Sequence, residues 1–181
     1  MNARAELPLH APGTAIDKGY IGQSVPRPNA KRLLQGRGAY TDDLRLPRLA
    51  HVVFYRSPYA HARIKALRMD KAKSSPGVIG VFSGKDISEY CTPWVGVLAH
   101  LKGIKSPPQY AVAIDRACWQ GEAVAAVVAE TRAQAEDAAD LVRVDYDPLP
   151  SVTDTGTASQ PGSAAVWDEC PDNVSLSLIH I

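Results

Sequence analysis

The longest apolar run in the chain lies at Ala123 to Ala129, AVAAVVA, with Gly121 ahead of it and polar residues behind. A run this short and this rich in valine, bounded in this way, predicts a central strand buried on both faces. Directly after it the period of the pattern changes. Ala135, Ala138, Ala139 and Val142 fall at i, i+3, i+4 and i+7, while Arg132, Glu136, Asp137, Asp140 and Arg143 point elsewhere. This predicts a helix over about 131–142 that turns a narrow stripe of small side chains, Ala138 among them, toward a sheet. Thr131, with Gln134 three residues on, supplies both halves of a capping box at its start. Val144 to Tyr146 is expected to return as a strand beside the first, ended by Pro148 and Pro150 because proline cannot donate to a ladder.

Upstream, Leu49 to Tyr55, LAHVVFY, is β-branched and aromatic, and Ser57-Pro58 supplies a turn. Ala62 to Met69 is then expected as the return strand of a hairpin. Its alternation breaks at Leu67, where a bulge or a strong twist is expected. Asp70 can cap a short helix, Lys71 to Ser75, which Pro76-Gly77 stop. Val78 to Phe82 predicts another buried strand, and Ser83 with Asp86 predicts a cap for a short helix through Tyr90. Cys91 to Tyr110 has no sustained period and carries Pro93, Gly96, Gly103, Pro107 and Pro108. A loop of that length is expected to be a contact surface or partly mobile, before Ala111 to Ile114 rejoin the core. The fold class that follows is α+β, with a mixed sheet, one main helix and several short ones. Residues 1–19, with Pro8, Pro12 and Gly13, are expected to form a flexible tail. Residues 20–150 form the domain, and 151–181, thinning to Ser, Thr, Gly and Ala, lead out of it as a linker.

Composition narrows the function more by exclusion than by assignment. The 181 residues are 45% hydrophobic, enough for a core, and the net charge of +1 is spread along the chain, so a nucleic-acid partner is not expected. The start, MNARAELPLHAPGTA, lacks the apolar core of a signal peptide, and no apolar run approaches the roughly 18 residues of a membrane span; a cytoplasmic protein is expected. Cys91, Cys118 and Cys170 are odd in number and far apart, which favours reduced, structural thiols.

The chemistry-bearing residues do not assemble into a motif. The glycines of GRGAYTDDL, Gly36 to Leu44, suggest a phosphate loop, but no buried strand precedes them and Asp42 and Asp43 would repel an anion. A turn in which those two aspartates bond local amides is expected instead. Ser83-Gly84-Lys85-Asp86 lacks the spacing and the hydroxyl residue of a nucleotide loop. His51 and His61 have no third ligand nearby and are expected to be hydrogen-bonded or packed. Glu122, Glu130 and Asp145 lie nearest the sheet and are expected to be solvated or ion-paired. Trp94 and Trp119 are candidate interface anchors, each equally suited to packing on its own domain. No catalytic, cofactor-binding or metal-ligating residue is assigned.

Four blocks, GRGAYTDD (Gly36 to Asp43), RSPYAHARI (Arg56 to Ile64), PGVIGVFSGKDI (Pro76 to Ile87) and GEAVAAVVAETRAQAEDAADLVRVDYDPLP (Gly121 to Pro150), occur in an order and spacing that resemble the start of the large subunit of molybdenum hydroxylases. This is the xanthine dehydrogenase, aldehyde oxidase and aerobic carbon monoxide dehydrogenase family. The match runs from about Tyr20 to Val174 and resembles the N-terminal α/β-hammerhead domain. The resemblance implies an oxidoreductase subunit that uses molybdenum–molybdopterin, with electrons passing through iron–sulfur clusters to FAD in partner subunits or domains. It also implies that the pterin contacts and the general base belong to later domains, which nothing in this chain matches. The fragment is therefore expected to be a docking and scaffold domain, inactive alone; the alternative is a stand-alone, non-catalytic binding module. Partners are expected to be the remaining domains of the same subunit together with iron–sulfur and flavin subunits. They are expected to dock through the Cys91 to Tyr110 loop and the basic Arg27 to Arg37 segment. After Asn173-Val174 the ending SLSLIHI departs from the family pattern and is expected to be a truncated or artefactual end.

Overall fold

The computed structural model describes residues 20, 25–96 and 100–177; the expected tail at 1–19 and residues 178–181 of the apolar ending lie outside them. The chain divides into two compact units, Met1–Arg45 and Leu46–Ile181. In the first, α1 (Ala30–Leu34) buries none of its residues, and a 3-10 turn follows at Thr41–Asp43. The Tyr40 amide donates to the Asp43 carboxylate at 2.9 Å, so this aspartate bonds a local amide as the turn chemistry predicts.

The second unit is built around the valine-rich run. It forms β5 (Ala123–Ala129), flanked by β1 (His51–Arg56) and β3 (Val78–Ser83) in a three-stranded sheet of order β1-β5-β3, hereafter sheet A. The remaining strands, β2 (Ala62–Arg68), β4 (Arg116–Ala117) and β6 (Arg143–Pro148), make a second sheet, sheet B, of order β4-β2-β6. All four pairings are antiparallel. The architecture is the expected α+β class, but the one mixed sheet is resolved into two antiparallel ones.

Two pairings differ from expectation. β1 and β2 do not form a hairpin, and β6 does not return beside β5; β2 and β6 pair with each other, Ile64 opposite Tyr146. Alternation shows that a segment is half-buried without naming its neighbour. Here the turn at Ser57 is long enough to carry the chain from one sheet to the other: the Ser57 amide donates to the Glu122 carbonyl, and the Gly121 amide donates to that of Ser57, both at 2.8 Å. The irregularity in β2 falls between Ile64 and Ala66 rather than at Leu67.

The main helix, α4 (Arg132–Ala139), is shorter than expected, because Leu141 and Val142 close on Ala138 and Ala139 by i+3 hydrogen bonds. Its stripe lies as the period predicts. Ala135, Ala138 and Ala139 are buried, and the core formed by Ala72, Val81, Ala125, Val127, Ala138, Ala139 and Val142 is capped from sheet B by Leu67 and Val144. Val127 and Val142 are among the largest fully buried side chains, each stabilising by about 1.5–3 kcal/mol. Alanines on the helix let it approach the sheet closely enough for those valines to be covered.

Both expected capping boxes form. The Gln134 amide donates to Thr131 Oγ1 at 3.3 Å and the Thr131 amide to Gln134 Oε1 at 3.0 Å. At α3 (Gly84–Ser88) the Ser83 amide and hydroxyl both donate to Asp86 at 2.7 Å, which holds the Asp86 carboxyl below its usual range. Thr131→Ala is expected to cost about 1 kcal/mol in a denaturant melt, the usual cost of a lost cap. Asp70 opens α2 (Asp70–Lys73) as its first residue, with Met69 in the cap position and no side-chain cap.

Candidate functional site

Three of the four motif blocks converge at the ends of β5. The Arg56 guanidinium donates to the Gly121 carbonyl at 2.8 Å, and the Glu130 amide donates to the Gly77 carbonyl at 2.9 Å. Gly121 has φ +87°, a left-handed conformation that turns the chain sharply into the strand. The turn sends Glu122 inward. Glu122 is 6% exposed and accepts from the Cys118 amide at 2.5 Å; it is buried rather than solvated or ion-paired, a correction to the expectation. Asp145 does form an ion pair, with Arg68, and Glu130 is exposed.

Around Glu122 lies a cleft of about 380 Å³, with Arg63, Tyr110, Arg116, Trp119, Trp167 and Asp168 in its walls. Arg116 on β4 pairs with Asp168 at 3.4 Å. Burial pushes the Glu122 carboxyl up against the opposing pull of the Cys118 and Trp119 amides and Arg116. Burial, reinforced by the Glu122 charge, also pushes the Cys118 thiol up, so this sulfur is not an activated nucleophile.

The sign of the Glu122 shift makes a prediction. A carboxyl whose folded pKa exceeds its unfolded value favours the folded state when protonated, and that advantage is lost as pH rises from the ordinary carboxyl value through the raised folded one. Glu122→Gln, whose side-chain oxygen can still accept from the Cys118 amide, is therefore expected to match the parent chain in acid and exceed it in stability near neutrality. Parallel melts across that range check it, and a variant less stable than the parent at neutral pH would contradict it.

The histidines behave as packed residues. The His61 Nδ1–H donates to the Pro150 carbonyl at 2.8 Å, and its ring is buried; His51 lies on β1. No three His, Cys, Asp or Glu side chains converge on a metal position among the described residues.

The described part of the Cys91 to Tyr110 loop is held at a few points and leaves Trp94 63% exposed. Trp94 and Gln109 bridge through their backbones, Lys105 reaches Asp172 at 2.7 Å, and the Lys105 amide donates to the Ser175 carbonyl at 2.8 Å. Between this loop and residues 152–175 lies a cavity of about 810 Å³ with apolar walls that include Trp94, Ile104, Val166 and Trp167. The absence of a period marks this loop correctly as irregular, while the hydrogen bonds between Lys105 and Ser175 reach a segment 70 residues later in the chain, a pairing no local pattern encodes. Trp119 and Tyr110 line the Glu122 cleft.

A second open surface lies on sheet A. On sheet A, the face opposite α4 carries Val52, Phe54, Phe82, Ala126 and Val128, and a groove of about 730 Å³ runs along it to Ile87, Tyr90 and Val112. Val52 is 52% exposed, Phe54 41%, Phe82 42% and Tyr90 87%. Val78 to Phe82 is expected as a buried strand, but of these residues only Val81 is buried, and Ile79 and Phe82 stand exposed on the sheet.

Comparison with known proteins assigns the class. Residues 35–150 match the family model described as aldehyde oxidase and xanthine dehydrogenase, a/b hammerhead domain, and the chain belongs to that family. It is 39% identical over 163 residues to the nicotine 6-hydroxylase large subunit of Paenarthrobacter nicotinovorans, covering 89% of this chain and 20% of that protein. Among solved structures it is similar to quinoline 2-oxidoreductase from Pseudomonas putida 86, with a TM-score of 0.70 and 41% identity, covering 82% of this chain and 19% of that one. It is also similar to a Cu,Mo-CO dehydrogenase, with a TM-score of 0.63 and 36% identity, covering 78% of this chain and 17% of that one. The chain thus spans about a fifth of the length of the relatives it matches. No helix among the described residues is long and apolar enough to cross a membrane.

Proposed function

We propose that this chain is the N-terminal docking and scaffold domain of a molybdenum hydroxylase large subunit, working in the cytoplasm and catalytically incomplete by itself. The observation that carries the reading is that a hammerhead match over residues 35–150 accompanies coverage of only about a fifth of each relative. The fold supports the scaffold role: three motif blocks meet at the ends of β5 and anchor it, through the Arg56 guanidinium on the Gly121 carbonyl and the Glu130 amide on the Gly77 carbonyl. In this reading the molybdenum–molybdopterin cofactor belongs to the remainder of the large subunit. Iron–sulfur clusters and FAD belong to partner subunits or domains.

The purified 181-residue chain is expected to hold no stoichiometric molybdenum and to show no hydroxylase or dehydrogenase turnover, while the large subunit read through a continuing frame, assembled with its partners, holds both metal and activity. Metal analysis of the two preparations decides the matter. Stoichiometric molybdenum in the short chain would overturn the claim of incompleteness. A frame with no cofactor domains would leave a stand-alone binding module instead.

A further inference from the structure

We propose that the open face of sheet A is the seat of a later segment of the same large-subunit polypeptide, an uncharged apolar stripe on a helix or strand; this rests on the functional reading above. The face is built from three strands in register. Phe54, Ala126 and Phe82 lie in one row and Val52, Val128 and Gly80 in the next. Ala126 is thus the floor of a notch between two phenylalanine rings, and no charged side chain falls within either row. Arg56 stands at the margin with its guanidinium 5.6 Å from the Phe54 ring centroid, and Lys73, Asp86 and Glu89 edge the groove. The carboxylate of Asp86 is already committed to the Ser83 cap.

Sheet B shows the contrast. Its outward positions carry Arg63, Lys65, Arg68, Arg143, Asp145 and Asp147, with Lys65 paired to Asp147 and Arg68 to Asp145, an ordinary solvated surface. Two sheets of one domain, one dressed for water and one not, call for different surroundings. A contiguous apolar face like that of sheet A has the composition of a domain core cut in half, the mark of permanent association rather than of reversible encounter between separately folded chains. A tethered segment also needs no charge to steer it, because the linkage itself supplies a high effective concentration. The coverage of about 20% of one relative and 19% of another provides ample homologous chain to supply such a segment.

Hydroxyl-radical labelling of Phe54, Phe82 and Tyr90, read by mass spectrometry, tests the proposal in the 181-residue chain and in the complete large subunit purified without other subunits. Ready labelling in the short chain and a fall of about tenfold in the complete large subunit are expected, since the centre of such an interface excludes water. Equal labelling in both overturns the proposal. So does protection that appears in the short chain together with a dimer mass, which makes a second copy the occupant, or protection that appears only when iron–sulfur or flavin subunits are added. Molybdenum measured on the large subunit assembled with its partners separates the two claims. Metal present with the face still labelled sinks the docking surface alone, whereas metal absent with the face protected sinks the functional reading alone.

Discussion

Replacing Ala138 by aspartate is expected to destabilise the domain by roughly 3 kcal/mol or more. Ala138 is fully buried in the core where α4 meets Val81, Ala125 and Val127, and the alanines at 135, 138 and 139 set how closely the helix approaches. An aspartate there needs volume the contact does not have and carries a carboxylate with no partner, so overpacking and desolvation add. Because burial favours the neutral acid, the penalty should shrink as pH falls and grow as pH rises toward neutrality. Thr131→Ala, which removes only a cap, is the internal scale at about 1 kcal/mol. Denaturant melts of the two variants should differ by a factor of about three in lost stability. Equal losses would mean that the face of α4 has been misplaced.

The helix was legible because its information is local. The stripe at i, i+3, i+4 and i+7 and the Thr131–Gln134 box each need only a few consecutive residues, as does the Ser83–Asp86 cap. Strand pairing is not local. Nothing in HVVFY distinguishes β5 from β2 as a neighbour, and the structure settles it through hydrogen bonds joining Ser57 to Gly121 and Glu122, some 65 residues away. β4 is only two residues long, too short for any period to register.

The same division holds for the candidate site. Burial of Glu122 follows from the left-handed turn at Gly121 and from the Cys118 amide, neither of which a carboxylate at a strand end announces; the Arg116–Asp168 pair in the same cleft is brought together across 52 residues. The docking surface was sought in the aperiodic loop, on the reasoning that a segment without a period has no interior to face. That loop is tied at Lys105 to Asp172 and Ser175 and keeps Trp94 exposed, while Val52, Phe54 and Phe82 on sheet A are exposed as well, in strands whose composition suggested burial.

Gly84→Ala is expected to cost about 2–4 kcal/mol, although alanine is the better helix former by about 1 kcal/mol and the position is the first of a helix. A Cβ at Gly84 would lie 2.3 Å from the Ala113 carbonyl oxygen and 2.6 Å from that of Val112. Those atoms are backbone and cannot swing aside. Val112 and Ala113 are buried, and the Ala113 amide is tied to the Ala123 carbonyl at 2.7 Å. Relieving the clash therefore means moving either α3, with the Ser83–Asp86 cap that starts it, or the segment that enters the core beside β5. Gly80→Ala is the control. Its Cβ would come within 2.7 Å of the Phe82 ring, but that ring is the far end of a half-exposed side chain and can rotate away, and the lost glycine entropy works in the variant's favour. The two substitutions add the same methyl group at positions four residues apart, one in β3 and one at the start of α3, so their difference reflects mainly what the methyl meets. Chemical denaturation should place Gly84→Ala well below the parent chain and Gly80→Ala within about 1 kcal/mol of it; a Gly84→Ala variant as stable as the parent would show that α3 is free to lift from the 112–113 backbone.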